Sequence, residues 1–163
     1  MALIDYIIYN DMKDISNEVF EKIAKFRWNT TDEKLNQTVK WMKQNHFGEN
    51  FETKWFYIIA YSNNEIVGFI YFMREKQNDF RWYLGDLSVN ELYQRHGIAS
   101  NLIQNGIKKI KNECGTILHT YIEKNNIPSI KLHEKLGFQH CLELLPFMDL
   151  IFDENMEMYE CIL

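Results

Sequence analysis

A chain of 163 residues, 46% hydrophobic and 15% aromatic, has the size of one globular domain and ample apolar side chain for a core. Its formal net charge of -5 argues against a broad phosphate-binding surface, and so against nucleic acid as a partner. Three cysteines, Cys114, Cys141 and Cys161, are odd in number and far apart, so neither a disulfide framework nor a zinc site is suggested and no metal is expected. The first residues, Met1 to Tyr6, lack a basic segment followed by an apolar stretch, and no later apolar run approaches the roughly 20 residues that span a bilayer. The expectation is a cytoplasmic protein that does not engage a membrane. No repeat, linker or long charge block interrupts the chain, which predicts one domain over residues 1–163.

Leu3 to Tyr9 has the pattern of a strand. Ile15, Val19, Phe20 and Ile23 then recur at helical spacing behind Asp14, a candidate N-cap. Thr30 to Glu33 opens a second helix, with acidic residues at its positive end and Leu35, Val39 and Met42 on one side. His46 to Glu52 reads as a loop. Trp55 to Tyr61 and Ile66 to Met73 are rich in β-branched and aromatic residues and flank the polar turn Ser62 to Glu65, which predicts an antiparallel hairpin. A second turn, Lys76 to Asp79, leads into a strand over Phe80 to Val89. Ile98 to Glu113 is amphipathic, with Ala99, Leu102, Ile103, Gly106, Ile107 and Ile110 on one face and Lys108, Lys109 and Lys111 near its negative end. Thr116 to Ile122 is a further strand, and Pro128 opens a short helix closed by Gly137. Strand, helix, strand implies that Phe80–Val89 and Thr116–Ile122 run parallel, with the helix packed over the sheet. Gln139 to Leu144 and Met156 to Ile162 are two more strands, separated by an apolar loop containing Pro146, Phe147 and Met148. The fold class is α/β of the α+β kind: a mixed, mostly antiparallel sheet of about six to seven strands with about four helices.

Gln94-Arg95-His96-Gly97-Ile98-Ala99 falls between a strand and a helix, where unpaired backbone N–H groups converge at the positive end of a helix dipole. Gly97 removes a side chain that would block an anion, and small Ala99 lets the helix start near a ligand; an ordinary turn glycine would look the same. Neither the Walker pattern nor Gly-x-Gly-x-x-Gly is present. Gln94-x-x-Gly97-x-Ala99, behind Leu87-Ser88-Val89, resembles the Gln/Arg-x-x-Gly-x-Gly/Ala signature of the GNAT acetyltransferases. Asn126-Ile127-Pro128-Ser129-Ile130-Lys131-Leu132-His133-Glu134-Lys135-Leu136-Gly137-Phe138 resembles that family's Asn-x-x-Ala/Ser-x-x-Leu-Tyr-x-x-x-Gly-Phe segment, and the two segments come in the family's order. Phe80 to Phe138 carry the resemblance, and Ile66-Val67-Gly68-Phe69 is similar to the family's third strand.

The resemblance implies the GNAT fold, with the parallel pair Phe80–Val89 and Thr116–Ile122 splayed apart. It implies acetyl-CoA as cosubstrate and the primary amine of a small molecule as acceptor. Transfer to a protein or peptide amine, and a non-catalytic acyl-CoA-binding regulatory module, are the alternatives. The fold often forms homodimers. By the same resemblance the backbone of Leu87, Ser88 and Val89 would pair with the pantetheine arm. Gln94, Arg95, His96, Gly97, Ile98, Ala99 and Ser100 would surround the pyrophosphate, and Asn126 and Ser129 would lie on the cofactor arm, although Asn126 without the motif reads equally as a helix cap or turn residue.

The catalytic candidates are His133 and Asp86. His133 stands where the family often has a tyrosine that protonates the departing sulfur; it is either a replacement or a half-buried helix residue. Asp86 lies on the strand leading to the thioester and resembles an acidic position in polyamine-acetylating members; it is either a base or tied into a structural hydrogen bond. A carboxylate of pKa ~4 is a poor direct base for an ammonium of pKa ~10, which favours a water chain or plain electrostatic attraction. No Gly-x-Ser-x-Gly is present, in keeping with direct attack in a ternary complex and no acyl-enzyme. For the acceptor, family analogy points to Trp28, Trp41, Phe47, Phe51, Phe147 and Met148 as walls and to Asp32, Glu49 and Glu52 for a cation, although such aromatics serve equally as core and such carboxylates as solvated surface.

Overall fold

The computed structural model describes residues 3–45, 53–78, 80–148 and 150–163. The described residues form seven strands, β1 (Asp5–Tyr9), β2 (Trp55–Ser62), β3 (Glu65–Arg74), β4 (Arg81–Val89), β5 (Ile117–Glu123), β6 (Gln139–His140) and β7 (Met156–Ile162). They also form four α-helices, α1 (Asn17–Trp28), α2 (Leu35–Asn45), α3 (Ile98–Asn112) and α4 (Ile127–Lys135). The strands lie in the order β1-β2-β3-β4-β5-β7-β6, and every neighbouring pair is antiparallel except β4 and β5. The β2–β3 hairpin turns through Asn63 and Asn64, both at positive φ, as a tight two-residue connection between twisted strands requires.

Alternation along the strands sorts the sheet into two buried faces. Phe56, Ile58, Ile70, Phe72, Trp82, Leu84 and Leu118 pack against Ile98, Leu102, Ile103 and Ile110 of α3. Tyr57, Ile59 and Phe69 alternate to the other side, against Phe20, Ile23 and Ala24 of α1 and Met42 of α2. Further along that second face, Met73, Tyr83 and Tyr121 are covered by Phe147 from the segment between β6 and β7. Each large apolar side chain so buried stabilises the fold by about 1.5–3 kcal/mol.

Most boundaries fall within one residue of the sequence reading, and the larger differences are four. The strand expected over Leu3 to Tyr9 begins at Asp5. The cap of α1 is Ser16, which accepts from the Val19 N–H at 3.3 Å, and Asp14 belongs to a preceding 3-10 turn. The second helix starts at Leu35 after a 3-10 turn over Asp32–Lys34. The strand expected over Gln139 to Leu144 is only Gln139–His140: after the Cys141 N–H bonds to Met158 the chain leaves the sheet, so that Leu145 can accept from the Tyr121 hydroxyl at 2.6 Å. Leu142 is in consequence 98% exposed. The loop expected over His46 to Glu52 and the end of the turn at Asp79 lie outside the described residues.

α3 approaches the sheet closely at Gly106, where an added Cβ would enter the ring of Phe72, itself stacked on Phe56 with ring centroids 4.8 Å apart. Gly106→Ala gains about 1 kcal/mol of helix propensity but forces overpacking that costs about 1–3 kcal/mol. The expected outcome is net destabilisation, read as a lower urea midpoint with an unchanged slope.

Candidate active site

The site begins where two parallel strands part. β4 and β5 pair from Arg81 with Ile117 to Leu84 with Thr120 and no further. Past Gly85, β4 carries two residues, Asp86 and Leu87, opposite the single Ile70 of β3, a bulge in which Asp86 takes a φ of 52°. Beyond the bulge β4 stays registered on β3, with Val89 opposite Gly68 and the Asn90 N–H bonded to Val67 at 2.9 Å. Since successive peptide groups of a strand alternate in direction, the N–H and C=O of Val89 face away from β3, toward the space β5 has vacated. The Gln94 side-chain amide donates to that Val89 carbonyl at 3.2 Å.

The chain then turns into α3. The Gln94 N–H closes a 3-10 turn onto Glu91, and the Asn101 N–H bonds to Gly97 as the first bond of the helix. The amides from Arg95 to Ser100 fall between the two, and those of Gly97 to Ser100 are the four that a helix leaves without an internal acceptor. Arg95 and Gly97 hold φ of 61° and 81°, which wraps these donors into a concave turn over the positive end of α3. A cleft of roughly 410 Å³ opens here, lined by Val89, Gln94, Arg95, Gly97, Ile98, Ala99 and Ser100 together with Tyr93, Pro128 and Leu132. A Cβ on Gly97 would meet no atom within 4 Å, so glycine leaves this space open and supplies the left-handed backbone.

On the other side of β4 lies a second cleft of roughly 600 Å³, lined by Leu87, Ser88, Val89 and Gln94 and by Phe26 and Arg27 of α1. The two clefts share Val89 and Gln94. Beside the second, the Asp86 carboxylate is 6% exposed and accepts from Arg27 Nε at 2.8 Å. Its charge is felt by Tyr57, Tyr71 and Tyr83, whose hydroxyls are held above their ordinary pKa, first by burial; Tyr83 is pushed up to about 12. All three are neutral donors at physiological pH.

The structure thus brings Leu87, Ser88, Val89, Gln94, Arg95, Gly97, Ile98, Ala99 and Ser100 to the two clefts, with Asp86 adjoining; exposed His96 falls within the same turn without lining either cleft. Asn126 caps α4, its Oδ1 accepting from the Ser129 N–H at 3.3 Å. His133 is 1% exposed; its Nδ1–H donates to the Ser129 carbonyl at 2.8 Å and its ring packs edge-on against Phe138. Its Nε2 is buried with no hydrogen-bonding group in reach among the described residues. Trp28 and Trp41 line a separate hollow of roughly 510 Å³, Asp32 pairs with Lys25 at 2.7 Å, Phe147 is core, and Met148 packs beside it. Phe47, Glu49, Phe51 and Glu52 lie outside the described residues. Tyr93, Pro128 and Leu132 at the first cleft, and Phe26, Arg27, Asn90, Glu91 and Leu92 at the second, are the lining residues that sequence reasoning missed.

Residues 10–138 match the family model described as the acetyltransferase (GNAT) family. The chain belongs to the GNAT acetyltransferase family. A curated N-alpha-acetyltransferase of Saccharolobus solfataricus is 29% identical over 93 residues, 51% of this chain and 56% of that relative, so the match spans little more than half of either. Among solved structures, the GNAT fold is shared with the PaiA N-acetyltransferase of Thermoplasma acidophilum in complex with coenzyme A (TM-score 0.64, 14% identity, 98% of this chain and 99% of that one). It is shared also with the ribosomal-protein-S18-alanine N-acetyltransferase of Escherichia coli (TM-score 0.67, 15% identity, 97% of this chain and 94% of that one). The GNAT family uses acetyl-CoA, and the donor row between Arg95 and Ser100 is chemically suited to its diphosphate. Among the described residues no helix is long and apolar enough to cross a membrane, and no cluster of potential metal ligands occurs.

Two imidazoles give this GNAT domain an acid-sensitive stability. Burial, above all, lowers the pKa of both His133 and His119; the latter accepts from Arg81 Nε on Nδ1 and donates from Nε2 to Glu160, each at 2.7 Å, with Glu75 also paired to Arg81. In the unfolded chain each binds a proton near pH 6.5, whereas the folded protein takes it up only at lower pH. Stability is therefore full above about pH 6.5 and falls below it, by at most about 1.4 kcal/mol per pH unit for each group. His133→Phe should flatten this acid limb in urea midpoints measured from pH 7.5 to 5; an unchanged slope would mean that His133 protonates freely in the fold.

Proposed function

We propose that this chain is an N-acetyltransferase that moves the acetyl group of acetyl-CoA to the primary amine of a small molecule, by direct attack within a ternary complex. The supporting observation is the meeting of two clefts at Val89: one opens on the amides of the α3 N-terminus, the other on α1 and Asp86. Acetyl-CoA would lie with its diphosphate on the amides of Arg95 to Ser100 and its pantetheine arm along Leu87 to Val89. The Val89 N–H, directed into the gap, would hold the thioester carbonyl oxygen and stabilise the charge that develops on it. The amine, entering past Arg27, forms the new C–N bond as the C–S bond breaks. The charge of Asp86 offsets that of Arg27, so that an ammonium can enter, and the amine proton leaves through water, because a carboxylate is too weak a base to take it directly.

His133 enters this scheme as the residue that packs α4 on Phe138. Its one proton in the neutral form is committed to the Ser129 carbonyl, so the departing thiolate takes its proton from solvent. A second acceptor class, a protein N-terminus, is favoured by the activities named for the Saccharolobus solfataricus and Escherichia coli relatives.

Thiol release from acetyl-CoA against small amines and short peptides tests the assignment: saturable release with a small amine supports it, release with peptides alone supports the second class, and no calorimetric binding of acetyl-CoA rejects both. Gly97→Val should weaken acetyl-CoA at least tenfold, about 1.4 kcal/mol, with the fold retained by circular dichroism. His133→Phe and His133→Tyr should give the same pH–rate profile. Alkaline activity lost in the phenylalanine variant and kept in the tyrosine variant would instead make His133 the acid.

A further inference from the structure

Arg27 is placed in a way that packing alone does not explain. α1 buries Phe20, Ile23 and Ala24, and position 27 continues that same face one turn on, yet it carries a cation. The guanidinium reaches across to the β4 bulge and gives only Nε to Asp86, at 2.8 Å. The outer nitrogens, Nη1 and Nη2, make no hydrogen bond among the described residues, and the side chain, 44% exposed, lines the cleft that ends at Val89. Trp28 supports the guanidinium from the side, its ring centroid 5.7 Å from Cζ. An arginine fixed at Nε by a buried carboxylate, with its two terminal N–H groups turned into a cleft, is a preformed receptor for an oxyanion.

Resting on the assignment of this cleft to the acceptor, we propose that the acceptor amine carries an oxyanion beside it, a carboxylate or phosphate that Arg27 receives while the amine faces the thioester. The acceptor is then a small zwitterion of the amino acid class and not a polyamine or a peptide N-terminus, in which an amide replaces the carboxylate. Asp86 has two duties in this arrangement. It orients Arg27 through Nε, and its charge offsets the guanidinium so that an ammonium can enter the same cleft. Glu91, which also lines the cleft, supplies a second negative group on the turn after β4. Walls with one forked cation and nearby carboxylates match a molecule bearing both charges.

The test compares free L-amino acids with their carboxamides, and O-phosphoethanolamine with ethanolamine, as acceptors for the wild type, Arg27→Gln and Arg27→Lys. Binding of N-acetyl-L-amino acids and their amides to the CoA complex is measured in parallel by calorimetry. The wild type should prefer the anionic member of a pair at least tenfold in kcat/KM and in binding, and the pair showing the preference names the oxyanion. Arg27→Gln should bring the two members within about twofold. Arg27→Lys should keep the ion pair to Asp86 and the thermal midpoint but lose most of the preference, which separates recognition from a structural tie between α1 and β4. Equal use of both members by the wild type, or a preference that survives in Arg27→Gln, overturns the role of Arg27. Binding requires no turnover: an anion preference in binding without thiol release would refute acetyl transfer and leave Arg27 as the receptor.

Discussion

Everything at this site depends on β4 letting go of β5 after Leu84 while keeping hold of β3. A parallel pair that continued to the ends of both strands would consume the Val89 N–H in a ladder bond and close the gap. The bulge at Asp86 and Leu87 makes the separation possible: with two residues opposite one, β4 twists away from the sheet plane and then resumes its register on β3. The same local event puts Asp86 into a left-handed conformation, places its carboxylate beside the tyrosines of the second face, and turns the end of β4 toward the start of α3. One irregularity thus produces the gap, the donor at Val89 and the acidic group beside it.

The surrounding layers keep that gap in place. α3 is seated on the sheet by Leu102, Ile103 and Ile110 and by the close approach at Gly106, which fixes where its N-terminal amides stand. On the opposite face the network of Glu75, Arg81, His119 and Glu160 bridges the paired ends of β4 and β5 to β7, and Arg81 also stacks on Phe147. β4 and β5 are joined at one end and apart at the other, with charge pairing at the joined end.

Much of this was legible in the residues. Runs rich in β-branched and aromatic residues marked the central strands, and Gln94-x-x-Gly97-x-Ala99 marked the strand-to-helix turn because its requirements are local: a positive φ at Gly97 and free amides after it. The resemblance added the splay, which spacing alone does not encode. What escaped were features set by tertiary contact. For Asn126 and His133 the residues left two roles open each; the structure seats the one as the cap of α4 and the other in its packed core, a choice a helix face does not reveal because it does not say which neighbour it meets. β6 is short because Tyr121 draws Leu145 away from the sheet, a contact 24 residues distant in sequence. Arg27 did leave a signal, a cation where the apolar stripe of Phe20, Ile23 and Ala24 should continue, but only the position of Asp86 gives it meaning.

Hydrogen exchange resolved to single amides, with and without acetyl-CoA, probes the central claim most directly. The Val89 amide and those of Arg95 to Ser100 should exchange more slowly in the complex, while β1 and the first turns of α1 are unchanged. Equal exchange at Val89 and across that turn in the two states, or slowing confined to another part of the sheet, would contradict the account.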